Sequence, residues 1–194
     1  MTSSTDSRLR IAVILGSTRP GRNGEDVATW VLDKAADRSG ASYELVDLAA
    51  HPLPHLDEPI PASMAQYTKE HTQNWAATIA QYDGFVFLTP EYNHSTSGVL
   101  KNAIDYLSAE WNNTAAGFVS WGSFGGVRAV EHLRGILSEL QVAHVRQQVG
   151  FLLATDFQNY SEFTPADFHD GEAETLFDQL EAWAGALRTL RQSA

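Results

Sequence analysis

Apolar positions follow two rhythms along this chain. Compact runs such as Ile11-Ala12-Val13-Ile14-Leu15 and Phe85-Val86-Phe87-Leu88 are apolar at successive positions, the pattern of a strand buried on both faces of a parallel sheet. Between the runs, apolar residues recur every three or four positions, as on one face of an amphipathic helix. Strands are therefore expected at Arg10–Leu15, Ser42–Leu48, within Asp83–Pro90 and at Ala116–Ser120, with a fifth beginning near Val142. A first helix is expected at about Asn23–Arg38, with Val27, Trp30, Val31 and Ala35 as its stripe, Asn23 as N-cap and Gly40 as stop. A second is expected at about Met64–Gln81, and a third carries Leu100, Ala103, Ile104 and Leu107 on one face. The fourth turns Val127, Val130, Leu133, Leu137 and Leu140 inward; a closing helix uses Leu176, Phe177, Leu180, Trp183, Leu187 and Leu190. Ala49–Ala62 holds four prolines and no periodicity, so a loop is expected there. Thr155–Gly171 reads as polar and irregular.

Five strands alternating with five helices predict an α/β fold, a doubly wound five-stranded parallel sheet with helices on both faces. In the flavodoxin-like strand order 2-1-3-4-5, right-handed crossovers bring the loops after strands 1, 3 and 4 to one carboxyl edge, where such sheets bind ligands. Those three loops are the chemically unusual ones: Gly16–Gly24, Glu91–Ser97 and Trp121–Gly126. The first joins a strand to a helix start and carries Ser17, Thr18, Arg19 and Arg22 with no acid. Free N–H groups, a helix dipole and guanidinium forks together suit a phosphate. There is no Gly-Lys-Ser/Thr and no G-x-G-x-x-G, so neither a triphosphate P-loop nor a dinucleotide fingerprint is present. A mononucleotide or a small phosphorylated ligand remains.

Composition narrows this further. At 194 residues, the chain fits a single domain, 10–194, behind a polar tail, 1–9. The net charge of −11 argues against nucleic acid and anionic membranes as partners. Eight acids and no Lys or Arg lie between Gln147 and Leu187, and a solvated face is expected there. Cysteine is absent, which removes disulfides, thiolate metal sites and a Cys nucleophile. No run of about 18 apolar residues exists, and the N-terminus lacks an apolar signal region; a cytoplasmic location is expected. His51 and His55 have a metal-like spacing but no nearby third ligand, so no metal site is expected. His94 is read as either a loop histidine or a substrate contact, and Trp111 as core, subunit contact or substrate rim.

Four segments in collinear order, from about Ile11 to Leu140, carry a resemblance. They are Gly16-Ser17-Thr18-Arg19-Pro20-Gly21-Arg22, Thr89-Pro90-Glu91-Tyr92-Asn93-His94-Ser95, Leu100–Leu107 and Gly125-Gly126-Val127-Arg128-Ala129. Together they resemble the NADPH-dependent FMN reductase family, which is flavodoxin-like and includes quinone, azo-dye and chromate reductases. The resemblance implies that Ser17, Arg19 and Arg22 hold the FMN phosphate. Pro90, Glu91, Tyr92 and Asn93 would lie along the isoalloxazine ring, and Ser120, Gly122 and Gly125 would close its other edge. It implies NADPH or NADH as co-substrate, a small-molecule electron acceptor (flavin, quinone or azo compound) and a homodimer or homotetramer with the flavin near the subunit boundary. Tyr106 and Trp111 are the aromatics expected at that boundary. The cofactor carries the hydride chemistry, so no catalytic residue is expected. An electron carrier and a flavin-dependent tailoring enzyme are the alternatives. The chain departs from the family pattern at Ser97, where proline is frequent, and at Thr114-Ala115, where a Lys-Pro pair is frequent.

Overall fold

A computed structural model describes residues 8–192. Five parallel strands, β1 (Leu9–Leu15), β2 (Ala41–Asp47), β3 (Gly84–Pro90), β4 (Ala115–Gly122) and β5 (Ala143–Leu152), form one sheet in the order β2-β1-β3-β4-β5. This is the flavodoxin-like order expected. The helices between them are α1 (Gly24–Ala35), α2 (Glu70–Ile79), α3 (Gly98–Asp105) and α4 (Val127–Glu139), and α5 (Phe168–Gln192) closes the chain. The expected tail falls mostly on residues 1–7, outside the described residues; Leu9, counted with it, is already in β1 and pairs with Ala41.

Alternation along each strand sorts the core into two layers. Ile11, Val13 and Leu15 of β1 face α1 and α5, while Ala12 and Ile14 join the layer beneath α2, α3 and α4. Strands covered on both sides must be apolar at every position, which is why β1, β3 and β4 read as unbroken runs. Among the described residues no helix is long and apolar enough to cross a membrane.

Several expectations fail for identifiable reasons. The second helix starts at Glu70, not Met64, because the Glu58 carboxylate accepts from the N–H groups of Thr68 and Lys69 and holds that segment extended. The first helix ends at Ala35; Arg38, beyond it, reaches Asp178 at 2.5 Å and also pairs with Glu181 on α5. The acidic stretch is thus partly a counterpart to α1, since Lys34 also pairs with Asp170 at 2.6 Å. Asn23 takes the N-cap position of α1 as expected, but its side chain makes no capping hydrogen bond; its Nδ2 donates to the Tyr160 carbonyl at 3.0 Å. Tyr160 sits in a small antiparallel hairpin, β6 (Phe157–Gln158) and β7 (Glu162–Phe163), where irregular chain was expected. Val127, expected inward, is 43% exposed at the first position of α4. Trp183 and Leu190 are likewise exposed, beside the buried stripe of Leu176, Phe177, Leu180 and Ala184.

Tyr106, expected as a subunit contact, and Trp111, read as core, subunit contact or substrate rim, are both buried within the chain. The Trp111 ring lies 4.9 Å from that of Phe85 and its Nε1 donates to the Ile104 carbonyl, so both its apolar and its polar parts are satisfied internally. The Tyr106 hydroxyl donates to Asp57 at 3.0 Å. Neither ring is available to a second copy.

Candidate active site

The loop Gly16–Asn23 leaves the end of β1 and enters α1. Its first residue has no room for a side chain: a Cβ on Gly16 would lie 2.7 Å from the Leu88 carbonyl oxygen and 2.8 Å from Leu100. The loop is therefore pressed onto β3 and α3, and Gly16 N–H donates to that same carbonyl at 2.9 Å. Beyond it, the N–H groups of Ser17, Thr18, Arg19, Gly21 and Arg22 find no acceptor among the described residues. A run of unpaired donors ahead of a helix start is an anion cradle.

The two arginines of the loop differ. Arg22 is committed: its guanidinium donates to both Asp47 oxygens at 2.8 and 2.5 Å, to Glu25 at 3.0 and 3.1 Å, and to the Ser17 carbonyl. Its side chain is only 9% exposed. The hydrogen bond to Asp47 raises the Arg22 pKa. Burial would raise the Asp47 carboxyl, yet the Arg22 hydrogen bond and the Ala49 N–H hold it below the usual carboxylate value. Arg19, by contrast, is exposed on the loop and makes no hydrogen bond or ion pair within the described protein.

The second loop follows β3, whose last residue, Pro90, is buried. Tyr92 and Ser95 exchange backbone hydrogen bonds at 2.9 and 3.1 Å across Asn93 (φ 48°) and His94 (φ 73°). Two central residues of positive φ make a primed turn, which Asn tolerates better than most side chains. Asn93 and His94 are thereby held outward at the tip. Tyr92 turns back, and its hydroxyl lies 3.2 Å from Ser17 Oγ, joining the first loop to the second. Ser97 closes the loop: its Oγ accepts from Leu100 N–H, capping α3, and donates to the Gly16 carbonyl. At this departure from the family pattern, a hydroxyl anchors the first loop where a proline would stiffen the second.

The third loop begins within β4, which extends to Gly122. Ser120 Oγ donates to the Gly125 carbonyl at 2.6 Å, so that hydroxyl is spent on shaping the loop. Gly125 and Gly126 both take positive φ, 69° and 74°. A Cβ on Gly122 would lie 3.1 Å from the Glu91 Cβ, which measures how closely the second and third loops approach. Glu91 N–H donates to the Trp121 carbonyl at 2.9 Å, and its carboxylate accepts from Arg128 N–H at 3.2 Å and pairs with the Arg128 guanidinium. That places a side chain only 5% exposed at the start of α4, where a negative charge complements the helix dipole.

Ser17, Arg19, Arg22, Pro90, Glu91, Tyr92, Asn93, Ser120, Gly122 and Gly125 thus lie on three loops at one sheet edge, linked Ser17–Tyr92 and Glu91–Trp121. Sequence reading missed Asp47, Ser97 and Arg128 as participants. Asp47 stands opposite Leu15 in the β1–β2 register, so its place beside the loop is visible only once that register is known.

The donor set and the shape fit a flavin mononucleotide. Free N–H groups and the Ser17 and Thr18 hydroxyls at a helix start match a phosphate, and the glycines at 122, 125 and 126 let the third loop pack closely against Glu91, Gly150 and Ser120 beside it. The comparisons agree with this. Residues 9–156 match the family model described as NADPH-dependent FMN reductase. The chain is 40% identical over 156 residues to an NAD(P)H-dependent FMN reductase of a Nectria species, covering 76% of this chain and 78% of that one. It is 37% identical over 194 residues to a quinone reductase of Escherichia coli, covering 95% and 98%. Among solved structures, a flavoenzyme NAD(P)H:(acceptor) oxidoreductase from Paracoccus denitrificans superposes with a TM-score of 0.70 at 22% identity over 90% of this chain and 98% of that one, a likeness of fold.

Proposed function

Because this chain belongs to the NADPH-dependent FMN reductase family, it is an FMN-dependent NAD(P)H oxidoreductase with a small-molecule acceptor, and we propose a ping-pong cycle in which donor and acceptor use one open ring face in turn. The observation that carries this reading is the meeting of a donor-rich, acid-free loop with two loops of small and flat residues at one sheet edge. Bound FMN supplies the hydride chemistry, so that NAD(P)H, a proton and a quinone become NAD(P)+ and a hydroquinone.

The chain's own work is binding and orientation. The N–H groups of Ser17, Thr18, Arg19, Gly21 and Arg22 and the Ser17 and Thr18 hydroxyls receive the phosphate, with Arg19 as its facing cation. Arg22 acts on the phosphate through the loop: pinned to Asp47, it holds the Ser17 carbonyl and so keeps the N–H groups turned outward. Pro90, Glu91, Tyr92 and Asn93 flank the ring on one side, Ser120, Gly122 and Gly125 on the other. In this reading one ring face is left to a nicotinamide, which approaches it to about 3–3.5 Å.

Mixing the flavin-loaded protein with NADPH or NADH in the absence of oxygen is expected to bleach the yellow colour before any acceptor is added. A quinone or free FMN then restores it. A flavin that stays yellow in excess of both nucleotides would overturn the reductase reading and favour an electron carrier or a dedicated tailoring enzyme.

A homo-oligomer of at least two copies is part of the same proposal and rests on the family relationship. Light scattering at micromolar concentration checks it, and a mass near 21.3 kDa would refute it.

A further inference from the structure

Beside the loop Gly16–Asn23, on its α3 side, lies a pocket of about 540 Å³ that borders the phosphate cradle at Thr18. Its walls are Leu48, Pro52, Leu53 and Pro54 from the segment after β2, and Val99 and Ala103 from α3. Thr18 and Gly98 line it too, so the pocket runs into the candidate site, one residue from Ser17 and one from Ser97.

The pocket is preformed. Asn102 staples its two walls together, with Nδ2 donating to the Pro54 carbonyl at 2.7 Å and Oδ1 accepting from Leu56 N–H at 3.0 Å. The Tyr106 hydroxyl reaches the same Pro54 carbonyl at 3.2 Å. These bonds satisfy the Asn102 amide and leave Thr18, His51 and His55 as the other polar side chains of a lining that is otherwise hydrocarbon and backbone. No Asp, Glu, Lys or Arg lines the pocket. An uncharged hydrocarbon can cover the Leu, Pro, Val and Ala side chains that make up most of the wall, and the size is that of a small-molecule site.

We propose that this pocket is a specificity subsite that receives the apolar substituent of a quinone acceptor while the quinone head lies over the ring groove. The inference rests on the reductase reading above. Prolines at 52 and 54 fix the wall's shape without ordering cost, and Val99, 41% exposed at the start of α3, is the side chain such a substituent would touch.

The test uses the flavin-loaded protein with 2-alkyl-1,4-benzoquinones of increasing chain length. Each methylene that enters the pocket is expected to raise kcat/KM about fourfold, the equivalent of ~0.8 kcal/mol, until the pocket is full. Val99→Asp is expected to abolish that rise while unsubstituted benzoquinone is turned over as before; Val99→Leu is expected to retain it. Calorimetric titration with redox-inert 2-alkyl-1,4-dimethoxybenzenes gives a second readout, with binding lost in Val99→Asp alone. A kcat/KM independent of chain length, or a rise that survives Val99→Asp, would overturn the subsite. So would absent binding of the inert analogue, the result if a second copy of the chain seals the pocket. If NAD(P)H fails to reduce the flavin at all, the reductase reading falls by itself, and the calorimetry still decides whether the pocket takes hydrocarbon.

Discussion

Arg19→Ala is expected to weaken FMN binding by about 1.5–3 kcal/mol, the range for a hydrogen bond to a charged group. Binding of riboflavin, which lacks the phosphate, is expected to stay unchanged. The reason is geometric: Arg19 has no partner among the described residues, so its removal leaves no buried group stranded. Titrating the apoprotein with both ligands checks this, and an equal loss for the two would mean that Arg19 does not meet the phosphate. Its neighbour provides the contrast. Arg22→Ala strands Asp47, which is held by that guanidinium at 2.5 Å, and frees the Ser17 carbonyl, so stability and binding are expected to fall together.

Gly126→Ala is expected to destabilise the protein by about 2 kcal/mol or more and to weaken FMN and riboflavin alike. At φ 74° any side chain carries roughly 1–2 kcal/mol of left-handed strain. Here the new Cβ would also lie 2.6 Å from the Ser120 Cβ and 2.9 Å from Trp121 N, neither of which can swing away. Relief requires the Gly-rich loop to lift, which breaks the Ser120–Gly125 hydrogen bond and reshapes the ring groove. Urea denaturation read beside the flavin titration measures both effects. Gly135→Ala is the control: in mid-α4, with nothing within 4 Å of the new Cβ, it is expected to be neutral or to stabilise by up to ~1 kcal/mol. If Gly126→Ala behaves like Gly135→Ala, the tight approach to β4 is not what holds the third loop.

The elements most legible in the sequence were those whose residues are dictated by burial on two sides. Phe85–Leu88 and Ile11–Leu15 must be strands of a covered parallel sheet, because no other short element hides every side chain. The second helix was less legible. Its start depends on Glu58, ten residues before the Thr68 whose N–H it captures, and no local periodicity records that bond. The same holds for the hairpin at Phe157–Phe163: Phe157 and Phe163 meet each other, and Phe151 and Trp30 from other elements meet Phe163. Polarity along the segment hid an aromatic cluster that only the folded chain assembles.

By itself, the sequence determined the succession of strands and helices, the three chemically unusual loops and the family to which the chain belongs. Each is carried by a local pattern, either a run of apolar residues or a short motif, and local patterns survive in one dimension. Tertiary structure alone decided which loop arginine is committed and which faces outward, because Asp47 reaches Arg22 only through the pairing of β1 with β2. It alone decided that Tyr106 and Trp111 belong to the core, since both rings close onto residues far away in the chain. Side-chain partnership and burial are properties of the packed layers, set by register and by what lies across the sheet, and no spacing along the chain encodes them.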